Sequence, residues 1–354
     1  MTRNVRRLHR LHDALARCRA LLILTHDNPD PDSIASAWVL GRIARRFRIS
    51  RVGLAYGGII GRTENRTLID MLRIPLKPIA TFDVDRFDAI ALVDTQPQAG
   101  NNSLPIHRTP AVVFDHHPCR RQTRRVPYSD VRADYGATTT ILYEYFIAAG
   151  MCPDRRLATV IFHAIRSETQ NLGRDAGRPD AAAFVSCFPL VDNRALSRVE
   201  HAVLPRAWFA MVDQAIDGTA IYGEVAVTRL GEVASPDMVA QFADLIVRLE
   251  GIGWVLAIGR YRRDLLLSIR TNHRLANAGR VIGRIVGTDG TAGGHDMIAG
   301  GKLSGFAGTP VQADRVERLL VRRLLKALRV RGHRPTHLTR SLRPEEKDGR
   351  VKPV

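Results

Sequence analysis

Cysteine is scarce in this chain: four in 354 residues, at Cys18, Cys119, Cys152 and Cys187, none of them in a C-x-x-C pair. That spacing excludes a disulfide scaffold and a structural zinc knot, so reduced thiols are expected. Long apolar runs are missing too. No uninterrupted stretch approaches the roughly 18 residues of a membrane-spanning helix, and the opening M-T-R-N-V-R-R-L-H-R lacks the apolar stretch of a secretory signal. A cytoplasmic protein with no membrane span is expected. Acids are outnumbered, 35 Asp and Glu against 53 Lys and Arg, for a net charge of +18. Much of the excess sits at the ends: residues 1–20 carry six Arg against Asp13 alone, and residues 322–354 carry eleven Lys or Arg against three acids. Basic ends of this kind attract nucleic acid or anionic lipid through a salt-sensitive field, and equally serve as solubilising arms. What the chain does have is core material, with 45% apolar residues. At the usual ~150 residues per domain, two domains are expected, and a disordered or collagen-like chain is excluded.

Along residues 20–188, short apolar runs of β type alternate with helical segments. Residues 20–25, 52–56, 88–93 and 111–114 read as strands, and residues 33–47, 65–72, 137–149 and 154–168 as helices. The alternation predicts an α/β domain with a doubly wound, mostly parallel sheet. A helical connector is expected over residues 194–219. Beyond it, strands at 220–230, 254–260 and 264–270, helices at 237–250, 278–286 and 311–329, and a Gly-rich turn before the last helix predict a smaller α+β domain. Residues 1–19 read as a basic N-terminal helix or arm, and residues 331–354, with Pro335, Pro344 and Pro353, as a basic tail.

The segment T-H-D-N-P-D-P-D-S, residues 25–33, follows the first expected strand and opens a helix. His26, Asp30 and Asp32 therefore fall at the carboxyl edge of the sheet, where open α/β sheets take ligands. Asp30 and Asp32, two apart in an extended chain, point in different directions and suit two ions, while Asp32 or Ser33 serves equally well as a helix cap. Asp94 ends the strand at 88–93, and Asp115-His116-His117 ends the strand at 111–114. A buried strand that ends in a charged group is costly unless that group meets a cation or a hydrogen-bond partner.

Together these pieces resemble a known family. They are H-x-x-x-D-x-D at His26, Asp30 and Asp32, then Val93-Asp94-Thr95, Asp115-His116-His117-Pro118, and G-A-T-T-T at 136–140. A-I-R-S-E-T-Q-N-L-G-R follows at 164–174 and A-G-G-H-D-M-I-A-G-G at 292–301. In this order they are similar to the DHH phosphoesterase superfamily with its companion DHHA1 domain, over roughly residues 20–305. The resemblance implies a DHH domain over 20–193 and a substrate-binding DHHA1 domain over 220–330. It implies two divalent ions, usually Mn²⁺, with His26 and Asp30 on one, Asp32 and His116 on the other, and Asp94 bridging both. His117 becomes a phosphate contact or proton donor, and Asp115 the partner that orients His116. Arg270, Gly293, Gly294 and His295 become substrate-binding groups. The activity implied is attack of a metal-activated water on short RNA or DNA oligonucleotides or small nucleotides, as in nanoRNases, pAp phosphatases and dinucleotide phosphodiesterases.

One position departs from the family's pattern. Glu168 stands where the fourth motif normally has a bridging Asp, and its extra methylene adds about 1.5 Å of reach. A nucleotide- or nucleic-acid-binding protein without turnover therefore stays open, as does an inorganic pyrophosphatase or exopolyphosphatase. Arg120, Arg121, Arg124 and Arg125 guide a polyanion or form an exposed basic loop. The remaining partners expected are nucleic acid at the basic ends and a second copy of the chain in a homodimer.

Overall fold

In the computed structural model the described residues are 2–273, 275–295, 297–305, 310–330, 332 and 334–339. They divide into a first compact unit ending at Val203 and a second beginning at Leu204. The first unit runs α1 (Arg3–Ala14), β1 (Ala20–Leu24), α2 (Pro31–Arg46), β2 (Arg51–Tyr56), α3 (Thr63–Leu72), β3 (Leu76–Pro78), β4 (Ala89–Val93), β5 (Val112–Asp115), β6 (Tyr128–Val131), α4 (Thr138–Ala148), α5 (Arg155–Glu168), α6 (Arg178–Cys187) and α7 (Asn193–Glu200). Its six strands are all parallel, in the order β3-β2-β1-β4-β5-β6. The order reverses between β1 and β4, as in a doubly wound sheet.

The side-chain alternation of the central strands feeds two cores. Leu21 and Ile23 of β1 join a large core that takes residues from α1 to α7, whereas Ala20, Leu22 and Leu24 face the opposite one. Burial on both faces explains why β1 reads as an unbroken apolar run. Among the described residues no α-helix contributes to the opposite core. It is closed by Ile79, Phe82, Val84, Leu104 and Val126, from short 3₁₀ turns and connecting segments. The expected N-terminal arm is α1, and its Leu8 and Leu11 are buried in the large core.

Two strands escape the sequence pattern for different reasons. Leu76-Lys77-Pro78 is three residues long and ends in proline. Tyr128-Ser-Asp-Val hides Asp130, which would ordinarily argue against a buried strand. Arg132 makes that burial tolerable by donating to both Asp130 oxygens, from Nε at 2.9 Å and Nη2 at 2.7 Å, and the Tyr145 hydroxyl donates at 2.6 Å.

The second unit runs α8 (Arg206–Asp217), β7 (Thr219–Tyr222), β8 (Val225–Glu232), α9 (Asp237–Ile246), β9 (Trp254–Tyr261), β10 (Asp264–Thr271), α10 (Ala278–Val286), β11 (Thr291–His295), β12 (Ile298–Leu303), α11 (Pro310–Ala327) and β13 (Thr336–His337). Its sheet order is β11-β12-β10-β9-β8-β7-β13, antiparallel apart from the β8–β9 pair. The expected strand at 220–230 is broken at Gly223, whose φ of 61° turns the chain between β7 and β8. The expected Gly-rich turn is also corrected. It is the antiparallel pair β11–β12, with Gly293 opposite Gly300 and Ala292 opposite Gly301. Glycine hides the pattern of these strands, and close packing explains two of the four glycines: a Cβ at Gly294 would lie 2.4 Å from Ala299 Cα, and one at Gly301 would lie 2.8 Å from Val286 Cγ2. The segment expected as a connector is divided. Ala195, Leu196 and Val199 of α7 pack in the first unit, and Met211, Val212 and Ala215 of α8 in the second. No helix among the described residues is long and apolar enough to cross a membrane.

Candidate metal centre

At the start of α2, Asp30 is the N-cap and its carboxylate accepts from the Ser33 amide at 2.9 Å, with Pro31 pre-set in the first turn. This cap turns the chain directly after β1 and leaves His26 four residues before it. Asp94 follows β4 with φ at 58°, a left-handed conformation that Asp tolerates better than most residues. Asp115 is the last residue of β5, and His116 comes next. The groups thus gather at the carboxyl ends of β1, β4 and β5, beside the point where the strand order reverses.

Asp94 is the hub, only 3% exposed. Its Oδ2 faces His26 Nε2 at 3.5 Å, and its Oδ1 faces His116 Nε2 at 3.6 Å. His26 Nε2 is also 3.5 Å from Asp30 Oδ1. Two three-residue donor groups result, His26–Asp30–Asp94 and Asp94–His116–His117, each with its ligand atoms within 4.8 Å of one another. They share Asp94. Both flanking imidazoles have their other nitrogen held by a main-chain carbonyl, His26 Nδ1 by Asp27 at 2.9 Å and His116 Nδ1 by Tyr135 at 3.2 Å. A carbonyl can only accept, so these contacts make Nδ1 the protonated nitrogen and Nε2 the available donor, as in metal-bound histidines.

His117 is placed differently. Its Nδ1 lies 2.9 Å from Asp115 Oδ1 and 3.8 Å from Asp94 Oδ1, so Asp115 holds it in preference. Burial works against the His117 charge, but the hydrogen bond and charge of Asp115 outweigh it and push its pKa up to about 9. Asp115 also accepts from the His116 amide at 2.9 Å. The expectation that Asp115 orients the His116 ring is therefore corrected: it orients the His117 ring, and Tyr135 holds that of His116.

Asp32 and Glu168 stand beside the two groups, in neither of them. Both Asp32 oxygens accept main-chain amides at the start of α4, from Thr138 and Thr139, each at 2.8 Å. Burial, followed by the charge of Asp94, nonetheless pushes its pKa well above the usual carboxylate range. Glu168 is the last residue of α5 and pairs with Arg174 Nη2 at 3.2 Å. Burial, then the charges of Asp30 and Asp94, push its pKa up to about 7. This crowding of buried carboxylates fits a divalent cation, which would relieve the repulsion, and the oxygen and imidazole donor set suits Mn²⁺.

Sequence reasoning missed Gln96 and the role of Thr138. Gln96 is 2% exposed, donates to Asp115 Oδ2 at 2.5 Å and the Pro118 carbonyl at 3.1 Å, and accepts from the Arg120 amide at 2.8 Å and the Thr123 hydroxyl at 2.7 Å. The Thr138 hydroxyl donates to Asp94 Oδ1 at 3.0 Å. Gln96 carries no motif signal, whereas Thr138 lies in the G-A-T-T-T run that opens α4.

The remaining expected site residues belong to the second unit. Arg270 Nε donates to Asp244 Oδ1 at 2.5 Å, and Nη1 to the Ser268 hydroxyl at 2.8 Å and the Ile269 carbonyl at 3.0 Å. Much of the fork expected to receive a phosphate is thus engaged within its own unit. Gly293 and Gly294 lie in β11, and only the backbone of His295, paired with Ile298, is described.

Residues 20–165 match the DHH family, N-terminal domain. An uncharacterized protein of Methanocaldococcus jannaschii is 32% identical over 287 residues, 80% of this chain and 58% of that protein. A probable manganese-dependent inorganic pyrophosphatase of Staphylococcus aureus is 26% identical over 147 residues, 42% of this chain and 47% of that protein. The chain spans about half the length of the curated relatives it matches. Among solved structures, an exopolyphosphatase-related protein from Bacteroides fragilis superposes with a TM-score of 0.69 at 12% identity, covering 91% of this chain and 98% of that one, a likeness of fold. The match to the DHH family covers residues 20–165, which carry every proposed donor but Glu168.

Proposed function

We propose that this chain is a metal-dependent phosphoesterase acting on short oligonucleotides or small nucleotides. The observation that carries the reading is the division of Asp94, whose two oxygens face two different imidazoles. Such a carboxylate suits two cations, one with His26 and Asp30 and the other with His116. A divalent cation bound there supplies Lewis acidity and lowers the pKa of a coordinated water toward neutrality. The chain's own residues do the rest. Thr138 fixes the rotation of Asp94 through its hydroxyl. The Asp27 and Tyr135 carbonyls fix the rings of His26 and His116. Asp115, kept ionised by His117 and Gln96 although burial opposes it, holds a proton on His117 Nδ1. A charged His117 is suited to neutralise a phosphoryl oxygen or to protonate the leaving oxygen. Asp32 and Glu168 add negative charge around the cations, Asp32 anchored by the amides of α4 and Glu168 by Arg174. In the second unit, Arg270, Gly293, Gly294 and His295 are the groups proposed to select the substrate.

A second reading, hydrolysis of inorganic pyrophosphate, is favoured by the likeness to the Staphylococcus aureus protein. Incubation of the purified chain with Mn²⁺ and, separately, pGpG, pApA, pAp, cyclic di-AMP and pyrophosphate tests both. Release from a nucleotide substrate supports the first reading and release from pyrophosphate alone the second. Release from none of them removes both and leaves a binding protein.

A further inference from the structure

Residues 120–125, R-R-Q-T-R-R, carry four arginines and no acid. Arg120, Arg121, Arg124 and Arg125 are all exposed, and none forms an ion pair among the described residues. Exposed arginines alone say little, since most are simply solvated. These differ in how firmly their backbone is held. The Gln96 amide uses both donors and both acceptor positions at once: it binds Asp115 and the Pro118 carbonyl on one side and the Arg120 amide and Thr123 hydroxyl on the other. Thr123, in the middle of the segment, is fully buried. One buried amide therefore ties the arginine segment to the carboxylate that holds His117. Arg121, Gln122 and Arg125 line an open hollow of about 250 Å³.

We infer that residues 120–125 form a pre-positioned rest for a phosphate chain, binding the part of a substrate that extends beyond the reacting phosphate. Guanidinium forks match phosphate oxygens in pairs, and arginines on a fixed backbone lose less freedom on binding than a mobile arm would. The segment contains no aromatic residue, so it offers no platform for stacking bases and reads charge, not sequence. An oligonucleotide and an inorganic polyphosphate both present such a chain. The inference rests on the phosphoesterase reading for the nature of the substrate, but its test does not need turnover.

The test compares the full-length chain with its Arg121→Ser/Arg124→Ser/Arg125→Ser variant in EDTA, by fluorescence anisotropy of a labelled oligonucleotide of about twelve nucleotides. The variant should bind roughly tenfold more weakly at about 50 mM salt, and the slope of log K against log salt should flatten by about two, near 0.7 per lost phosphate contact. The three side chains are exposed, so the melting temperature serves as the control for folding. Equal affinity and equal salt slope in a folded variant would overturn the inference, because the basic ends would then carry the binding. Displacement of the probe by polyphosphate of matched length assigns recognition to phosphates alone, and failure of polyphosphate to compete assigns it to the nucleotide chain. Arginine-dependent binding by a chain that hydrolyses nothing with Mn²⁺ leaves this surface standing and removes the phosphoesterase reading instead.

Discussion

Asp94 concentrates the chemistry of this chain in one side chain, and the substitution that tests it most cleanly keeps its shape. Asp94→Asn retains the volume and the tolerance for left-handed backbone but loses the charge that two cations would share. Turnover should fall by about 10³-fold, and the heat of Mn²⁺ binding should vanish in calorimetry, with the fold intact by circular dichroism. Glu168 makes the opposite prediction. Its carboxylate already sits among Asp30 and Asp94, and burial, followed by their charges, raises its pKa to about 7, so Glu168→Asp should keep or raise turnover in the substrate panel. A folded but inactive Glu168→Asp protein would show that the longer side chain sets a necessary distance. At Gln96, replacement by Leu leaves Asp115, Thr123 and two main-chain groups short of a partner. A loss of about 3 kcal/mol in urea unfolding is expected. His26, Asp30, Asp94 and His116 could be read from the sequence because strand ends aim their residues at one edge. Gln96 could not, since a buried amide earns its place only through partners scattered over residues 115–123.

At the scale of single elements, α5 carries an unusual burden. His163 lies in its buried stretch, and its Nδ1 has no hydrogen-bond partner among the described residues. Burial, followed by the nearby charge of Arg166, pushes its pKa down to about 4. Above the unfolded value of about 6.5 the ring is neutral in both states and contributes nothing to pH dependence. As the pH falls from about 6.5 to about 4, the unfolded chain takes up a proton that the native chain refuses, so stability declines by about 3 kcal/mol. His163→Leu should remove that component, measured as the difference between urea midpoints of variant and native chain at pH 7 and pH 4.5. An unchanged difference at the two pH values would show that His163 reaches solvent or a partner. Helices such as α5 and α10 were legible because periodicity and capping residues mark them, Asp154 and Asn277 each accepting an amide of the first turn. The strands β11 and β12 were not, because Gly293, Gly294, Gly300 and Gly301 erase the side-chain alternation on which strand recognition depends.

For the molecule as a whole, the division at residues 203 and 204 separates two sets of cores. Every donor proposed for the cations, from His26 to Glu168, belongs to the first. Residues 1–203 expressed alone should therefore fold and retain Mn²⁺ binding by calorimetry, while losing any substrate selection that resides in the second unit. A fragment that folds but gives no heat would place part of the cation site outside those residues. The charge at the two ends was plain in the sequence, yet α1 shows why composition alone misleads there: its arginines flank Leu8 and Leu11, which are core.

The uneven cladding of the first sheet has a further consequence. One face lies under helices with their own ladders of hydrogen bonds, and the other under turns and connections that have few. Amide hydrogens in residues 95–111 should exchange with deuterium orders of magnitude faster than those in α2, α4 and α5, because they open without disturbing the helical layer. Loops of such low cooperativity tolerate insertion and drift, so relatives could diverge in what they bind on that side while the shared scaffold stays the same.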